Sequence, residues 1–206
     1  KFKTYKFLHS INLPLKNFFY YDVIQGLWIS GKYNTPLEKK DFPAYIKPKK
    51  GTSNKGIIYL RSYEELTSYI EKGNNLKDKV IQKSLKNNSE SFEVSSSILV
   101  NKNGELPFKP FHAKRILNKG ISWSIERINS EFLDSYLINT IKAMPNYYGS
   151  LNIQFMGSYK DGFFPLEINT RFSGTTSYRL ACNRNEVMLV VKDLLNQDTS
   201  ELIKNS

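Results

Sequence analysis

The chain has 206 residues, 40% of them apolar and 14% aromatic, so it is long enough to bury a core and is not a disordered chain. Its one cysteine, Cys182, excludes an internal disulfide. No apolar run is long enough to span a bilayer, and no signal-peptide pattern is present. We therefore expect a cytoplasmic protein with no membrane partner.

Thirty Lys and Arg against 19 Asp and Glu give a net charge of +11. Such an excess is compatible with a nucleic acid, a membrane surface or an anionic small molecule as partner. The basic residues are scattered, apart from a cluster at Lys47, Lys49, Lys50 and Lys55. No RNA-stacking signature and no zinc-ligand pattern accompanies them, so a nucleic-acid partner has only the charge in its favour.

Apolar periodicity predicts the helices, and runs of β-forming residues between turn residues predict the strands. The predicted helices are 3–11, 63–72, 131–144 and 185–195. The predicted strands are 18–23, 44–48, 57–60, 80–85, 91–100, 105–116, 120–128, 151–155 and 163–168. Residues 30–43, rich in Gly, Asn and Pro, are predicted to be a loop, and residues 196–206 a frayed tail.

A basic, Gly-containing loop connects the strands 44–48 and 57–60. Gly51 and Gly56 permit close backbone approach, and Ser53 with the intervening N–H groups can form an anion-binding concavity. Lys47, on the strand that enters the loop, would then reach a phosphate. The loop is not a Walker A motif, because two isoleucines occupy the Lys and Ser/Thr positions. The alternative is a solvated hairpin.

A second informative stretch is the hairpin around Asp161-Gly162, a strong turn signal. A turn centred there places Gln154 opposite Asn169, with Glu167 on the same face because it lies two residues away. Carboxylate and amide oxygens suit Mg²⁺, and Arg171 adds a cation beside them. The alternative is an amphipathic hairpin with a solvated polar face, and a bulge would change the register.

Four segments in this order resemble the ATP-grasp superfamily, and most of all its carbamoyl-phosphate-synthetase-like, carboxylate–amine ligase branch. Residues 46–56 resemble its Gly-rich phosphate loop, 80–85 its adenine-binding hinge strand, and 152–155 with 167–173 its metal-binding strands. Any one of these motifs is weak evidence, whereas all four in the correct order are strong. The likeness extends from the start of the chain to about residue 195.

The resemblance implies an α+β fold in which two subdomains with mainly antiparallel sheets grip ATP between them. Residues 1–42 would be the tail of a preceding domain of the same chain, which we expect to be missing here. Residues 43–86 would form the small subdomain with the phosphate loop, and 87–206 the large subdomain with the metal-binding hairpin.

The resemblance also assigns roles to individual residues. Lys47 would hold the β- and γ-phosphates, and Arg171 would stabilise the transferring phosphoryl group. Gln154, Glu167 and Asn169 would hold Mg²⁺. The implied nucleotide-binding positions are Lys1, Lys47, Lys49, Gly51, Ser53, Gly56, Gln82, Lys83, Ser84, Leu85 and Glu90.

One of these positions departs from the pattern of the family, and for another the resemblance leaves two candidate residues. The hinge position that is usually acidic in relatives is Lys83, so adenine contacts there would come from backbone groups of Ser84 and Leu85. The ribose carboxylate is either Glu90 or Glu93.

The implied reaction uses ATP and two Mg²⁺ ions to activate a substrate carboxylate as an acyl phosphate, which an amine or ammonia then attacks. The alternatives are a nucleotide-binding module without turnover and a basic nucleic-acid-binding domain. No Ser-His-Asp or Cys-His arrangement is visible in the sequence, and His9 and His112 are expected to be structural. The partners would be small carboxylates and amines.

Overall fold

The computed structural model describes residues 1–50, 56–85, 90–118 and 121–204. Its contacts divide the chain into two compact units, Lys1–Ser89 and Glu90–Ser206. The helices are α1 Phe2–Ser10, α2 Tyr63–Glu71, α3 Glu131–Lys142, α4 Thr176–Ala181, α5 Glu186–Leu194 and α6 Ser200–Lys204. The strands are β1 Phe18–Asp22, β2 Leu27–Ser30, β3 Ala44–Pro48, β4 Ile58–Leu60, β5 Lys79–Lys83, β6 Phe92–Val100, β7 Phe111–Asn118, β8 Ile121–Ile128, β9 Gly149–Ser158 and β10 Gly162–Asn169.

The first unit is built on a five-stranded antiparallel sheet with strand order β2-β1-β5-β3-β4. Alternation along β1 sends Phe18 and Phe19 to opposite faces. Phe18 packs against Tyr5 of α1, with ring centroids 5.3 Å apart. Phe19 belongs to the other core, which also contains Leu66 of α2 and Ile81 of β5. The expected α+β class with antiparallel sheets is confirmed.

The strand β2 was not predicted, because its four residues run into the polar segment 30–43. Trp28 and Ile29 bury their side chains in this unit, and β2 pairs with β1. Residues 1–42 therefore contribute two strands to the sheet that also holds β3 and β5. Their origin as the tail of a preceding domain stays a prediction.

The second unit is built on another five-stranded antiparallel sheet, with strand order β10-β9-β6-β7-β8. One face packs against α3, where the rings of Tyr136 and Phe155 meet edge to face at 5.0 Å. On the other face, a smaller core joins Leu99 of β6 and Phe108 to Leu189 of α5. The part of this second face that carries Glu167 holds polar side chains and is the candidate site.

Two short helices near the end of the chain were not predicted. α4 begins after the short segment 170–175 that follows the hairpin. α6 contradicts the expectation of a frayed tail. Asp198 accepts hydrogen bonds from the N–H and the hydroxyl of Ser200, the first residue of the helix, and Leu202 packs onto the smaller core. In the part of the chain that the structure describes, no helix is long and apolar enough to cross a membrane.

Candidate active site

Lys47 lies on β3 in the first unit with its side chain buried. Its ammonium donates a hydrogen bond of 2.6 Å to Gln82 Oε1, which also accepts one of 3.1 Å from the Tyr5 hydroxyl. The contact follows from the sheet register, since Lys47 faces Val80 across the ladder and Gln82 is two residues further on the same face. The structure therefore brings two predicted nucleotide-binding residues together.

Two other basic residues predicted to bind the nucleotide, Lys1 and Lys49, lie near the end of β3. The main-chain amino group of Lys1 donates to Lys49 O at 3.1 Å, and Lys49 Nζ lies 5.5 Å from the ring centre of Phe2. Gly56 has a φ of 71°, a conformation that favours glycine. Gly51 and Ser53 lie outside the described residues.

The predicted adenine hinge, residues 80–85, comprises most of β5 and the two residues that follow it. The Ser84 N–H donates to Pro43 O at 2.8 Å, and the Lys83 ammonium donates to Lys40 O at 2.9 Å. Both Ser84 and Leu85 are buried. The Ser84 N–H is thus occupied in the structure, and an adenine contact at this place would have to use another backbone group.

The positive charge of the chain is concentrated in the first unit. Residues 1–89 hold 17 Lys and Arg against 7 Asp and Glu, whereas residues 90–206 hold 13 against 12. The net charges are therefore +10 and +1. A general compositional bias of the chain would raise the net charge of both units alike. The difference in net charge between the units therefore favours a polyanionic ligand for the first unit.

In the second unit, the hairpin of β9 and β10 differs from the predicted register. Phe163 faces Gly157, and after a bulge between Pro165 and Glu167 the pairing resumes with Glu167 opposite Gln154. The expected pairing of Gln154 with Asn169 is wrong. Pro165 lacks the N–H that would continue the ladder, which explains why the bulge follows it.

At the turn end of this hairpin the two strands approach each other closely, and this contact sets the pairing next to the turn. A Cβ on Gly157 would overlap the carbonyl oxygen of Gly162, so only glycine fits. The Ser158 hydroxyl accepts from the Asp161 N–H at 3.0 Å and donates to its carboxylate, which makes the turn longer than the predicted two residues.

The bulge is what assembles the predicted metal-binding residues. Without it, Glu167 would face Ile153 and its side chain would leave the face that carries Gln154. With it, Gln154, Glu167 and Asn169 share one face, and Asn169 Nδ2 donates to Glu167 Oε1 at 2.9 Å. Arg171 follows two residues beyond Asn169, is exposed, and donates to Phe172 O at 3.0 Å.

Glu93 lies on the same face, since it is two residues before Ser95, which pairs with Gln154. Its carboxylate accepts from Arg115 Nη1 at 3.0 Å in a largely buried ion pair. Burial raises the pKa of Glu93, the Arg115 guanidinium lowers it, and the like charge of Glu167 raises it. Glu90 precedes the strand and is exposed. The choice between Glu90 and Glu93 for the ribose stays a prediction.

The side-chain oxygens on this face suit Mg²⁺, which takes part of its ligand shell from water and substrate. They do not suit a metal whose ligands all come from protein side chains. Among the described residues, no group of three or more His, Cys, Asp and Glu side chains is placed to hold a metal ion. Glu167 is the central carboxylate, and Gln154 and Asn169 add amide oxygens. Mg²⁺ commonly uses one or two carboxylates and completes its shell with water and substrate phosphates.

The second unit also contains a linked serine, histidine and aspartate, which the sequence does not reveal because the residues lie far apart in the chain. His112 Nδ1 lies 2.9 Å from Ser96 Oγ, and His112 Nε2 lies 3.0 Å from Asp134 Oδ1. Ser96 is completely buried, so its hydroxyl cannot reach a substrate. The group joins the sheet to the first turn of α3 and is structural.

Two arginines in the second unit were missed by sequence reasoning. Arg115 lies on β7, where strand alternation places it on the face of Glu93 once the register is known. Arg179, on α4, is completely buried and pairs with Glu186 at 2.9 Å. No local pattern signals a buried arginine, since arginine is mostly exposed.

Several enzymes are among the solved structures similar to this chain. An N5-carboxyaminoimidazole ribonucleotide synthetase in an ADP complex matches with a TM-score of 0.71 and 16% identity, over 96% of this chain and 51% of its own. An L-amino acid ligase from Bacillus licheniformis matches with a TM-score of 0.65 and 15% identity, over 100% and 50%. A third match is the biotin carboxylase domain of a Hydrogenobacter thermophilus 2-oxoglutarate carboxylase, bound to MgADP, ADP and bicarbonate. Its TM-score is 0.57 and its identity 15%, over 83% of this chain and 39% of its own.

The chain spans about half the length of the first of these structures. No protein-family model and no curated protein matches the sequence. At this low identity, the likeness to solved structures establishes the fold alone.

Proposed function

We propose, from the premise that this chain has the ATP-grasp fold, that it is the nucleotide-binding part of an ATP- and Mg²⁺-dependent ligase that joins a carboxylate to an amine or ammonia. The observation that carries the proposal is the sheet face on which Glu167 lies opposite Gln154, bonds to Asn169 and precedes Arg171. The similar structures support it, because they include a synthetase, a ligase and a carboxylase, two of them bound to ADP.

The proposed reaction has two steps. A carboxylate oxygen of the substrate attacks the γ-phosphorus of ATP, the bond from that phosphorus to the bridging oxygen breaks, and ADP leaves. The amine nitrogen then attacks the acyl carbon of the acyl phosphate, expels phosphate and loses a proton to solvent, so that an amide forms and one carboxylate oxygen ends in the phosphate. No covalent bond to the protein is required.

The chain's own residues would position the phosphates and neutralise their charge, which is most of what phosphoryl transfer requires. Lys47 would bind the β- and γ-phosphates, and the charge of the first unit would attract ATP. Arg171 would stabilise the phosphoryl group as it transfers. Glu167, with Gln154 and Asn169, would hold Mg²⁺, which when bound neutralises further phosphate charge.

The proposal is tested by incubating the chain, and the chain extended upstream, with MgATP, pooled amino acids and small carboxylates, and hydroxylamine. Hydroxylamine would convert an acyl phosphate to a stable hydroxamate. We expect carboxylate-dependent release of ADP together with hydroxamate, and transfer of a labelled carboxylate oxygen to phosphate. Glu167→Gln should abolish all three.

Glu126→Gln is the matched control, because Glu126 is an exposed carboxylate of the same sheet that pairs with Lys114 at 3.4 Å. ATP binding without ADP release from either version would support the module without turnover. Absence of ATP binding would refute the nucleotide assignment. Affinity for RNA or DNA that falls steeply with salt would instead favour a nucleic-acid binder.

A further inference from the structure

Arg179 links two parts of the second unit: the segment 173–176, which leads into its own helix α4, and the start of α5. It is completely buried on α4. Its Nε donates a hydrogen bond of 2.9 Å to Glu186 Oε1, at the start of α5. Its terminal nitrogens point the other way, to the loop 173–176 that follows Arg171.

All three hydroxyls of that loop accept hydrogen bonds from the Arg179 guanidinium. Nη1 donates to Thr175 Oγ1 at 2.9 Å and to Ser173 Oγ at 3.3 Å, and Nη2 donates to Thr176 Oγ1 at 3.0 Å. The planar fork of arginine can meet several acceptors in fixed directions, which the single ammonium of lysine cannot do. The loop is thus held at each of its hydroxyl-bearing residues.

The same network continues to the strands of the candidate site. Thr175 Oγ1 lies 3.4 Å from Ser95 Oγ, which accepts from Asn152 Nδ2 at 2.9 Å. Asn152 is the cross-strand partner of Asn169. The position of the loop is therefore tied to the face that carries Glu167 and Asn169.

Stability alone does not account for an arginine at this place. A buried ion pair is commonly no more stabilising than apolar side chains of similar volume, because both charges lose their hydration. What an arginine adds here is a fixed loop conformation directly after Arg171. Arg171 itself is exposed, so its direction depends on the backbone that carries it.

We infer that Arg179 is a positioning residue for Arg171: it holds the loop 173–176 so that the Arg171 side chain is presented beside Glu167 and Asn169. The inference rests on the proposed function, because Arg179 has this role only if Arg171 acts on the transferring phosphoryl group. Arg179 itself touches no substrate, and its effect is exerted through the loop.

The test is a double-mutant cycle on ADP formation with Arg171→Ala, Arg179→Lys and the two combined. Arg179→Lys keeps a cation beside Glu186 but loses the fork. We expect it to lower kcat by about tenfold or more while KM for ATP changes by less than about twofold. If Arg179 acts through Arg171, the combined variant is no slower than Arg171→Ala alone, within about threefold.

Two further variants separate positioning from a general effect on folding. Thr175→Val removes one acceptor in the loop and leaves the Arg179–Glu186 pair, so it should show a smaller loss of kcat of the same kind, and it carries the test if Arg179→Lys does not fold. Arg184→Lys is the control, because Arg184 is another buried guanidinium that donates to Lys109 O at 2.7 Å. It should keep the wild-type kcat.

Hydrogen exchange gives a readout that does not need turnover. Amides of the loop 173–176 should exchange faster in Arg179→Lys than in wild type, and at the wild-type rate in Arg184→Lys. If the losses of kcat in Arg171→Ala and Arg179→Lys are additive, or if Arg184→Lys loses as much kcat as Arg179→Lys, the inference is wrong. The ligase proposal is unaffected by either result. If Arg171→Ala is as active as wild type, the role proposed for Arg171 is wrong. If the amides of residues 173–176 exchange at the wild-type rate in Arg179→Lys, that result alone overturns the inference.

Discussion

The Lys47 ammonium donates a 2.6 Å hydrogen bond to Gln82 Oε1, and the two side chains are only 5% and 1% exposed. Gln82 Oε1 also accepts from the Tyr5 hydroxyl, so the amide is anchored from a second side. The ammonium therefore has a defined place on β3 before any ligand binds. A phosphate oxygen placed there would form a stronger, charge-assisted hydrogen bond than the amide does.

The first prediction concerns Lys47. Lys47→Ala should weaken ATP binding by about 10- to 100-fold, because it removes one hydrogen bond between charged groups, worth about 1.5–3 kcal/mol. Thermal unfolding with increasing ATP measures this, since a ligand at about 100 times its dissociation constant adds about 2.7 kcal/mol to stability. Lys79→Ala, on the neighbouring strand β5, is the control. Equal affinities for both variants would refute the role of Lys47.

The second prediction concerns Glu167. Glu167→Gln changes the charge with almost no change in volume, so the ligand-free protein should keep its free energy of unfolding within about 1 kcal/mol. The part of the ATP-induced stabilisation that depends on Mg²⁺ should be lost, and ADP formation should fall by about 100-fold or more. The measurement is ATP titration with and without Mg²⁺. A large decrease in the unfolding free energy of the ligand-free variant would instead favour a structural role for Glu167.

The third prediction concerns the ion pair between Arg115 and Glu93, whose side chains are 11% and 13% exposed. Arg115→Met should destabilise the protein by about 3 kcal/mol at neutral pH, because it leaves a largely buried carboxylate unpaired. The double variant Glu93→Gln/Arg115→Met should be less destabilised, since neither charge of the pair is left. Urea denaturation of both variants measures the difference.

The same variant should respond to pH in a defined direction. Without the guanidinium, burial and the charge of Glu167 both hold the pKa of Glu93 above its ordinary value. The folded state then binds a proton more readily than the unfolded chain, so the destabilisation of Arg115→Met should shrink as the pH falls through the pKa of Glu93 in the folded state. A constant destabilisation between pH 7 and pH 4 would contradict this account.

The fourth prediction concerns His112. Burial lowers the pKa of its imidazole, while the hydrogen bond and the charge of Asp134 raise it and the charge of Arg184 lowers it, and the net shift is downward. The unfolded chain therefore binds a proton more readily than the folded one. The stabilisation from neutral His112 is complete above the ordinary histidine pKa of about 6.5 and is lost as the pH falls below it.

Comparison of wild type with His112→Gln between pH 7.5 and pH 5 isolates this contribution. The unfolding free energy of wild type should fall more steeply with decreasing pH than that of the variant. His9→Gln, which removes the other histidine of the chain, is the control and should follow wild type. Parallel curves for wild type and His112→Gln would refute the assignment.

The sequence by itself determined the features that depend on neighbouring residues in one segment. Alternation along a strand is enough to place Glu167 and Asn169 on one face, because side chains point to opposite sides with a period of two. The predicted helix 63–72 is also found, as α2, and the hydroxyl of Ser62 caps it by accepting from the Glu65 N–H. The apolar periodicity likewise predicted α3 and α5 within two residues.

The pairing between strands was decided only by the tertiary structure. Pro165 is visible in the sequence, but whether the missing N–H produces a bulge, and where pairing resumes, depends on the partner strand. The predicted grouping of Gln154, Glu167 and Asn169 on one face is present although the predicted register is wrong. The longer turn and the bulge together shift the register by two residues at the site, and an even shift preserves the face.

The contacts across long separations in the chain were also decided by the tertiary structure. Lys47 and Gln82 are 35 residues apart, and Glu93 and Arg115 are 22 apart, so neither pair leaves a local pattern. The burial of Arg179 is a different case, because its partners Glu186 and the hydroxyls of residues 173–176 all lie within seven residues of it. Side-chain direction within a strand is a local property of the backbone, whereas the partner of a buried charge is fixed only when the whole sheet has formed.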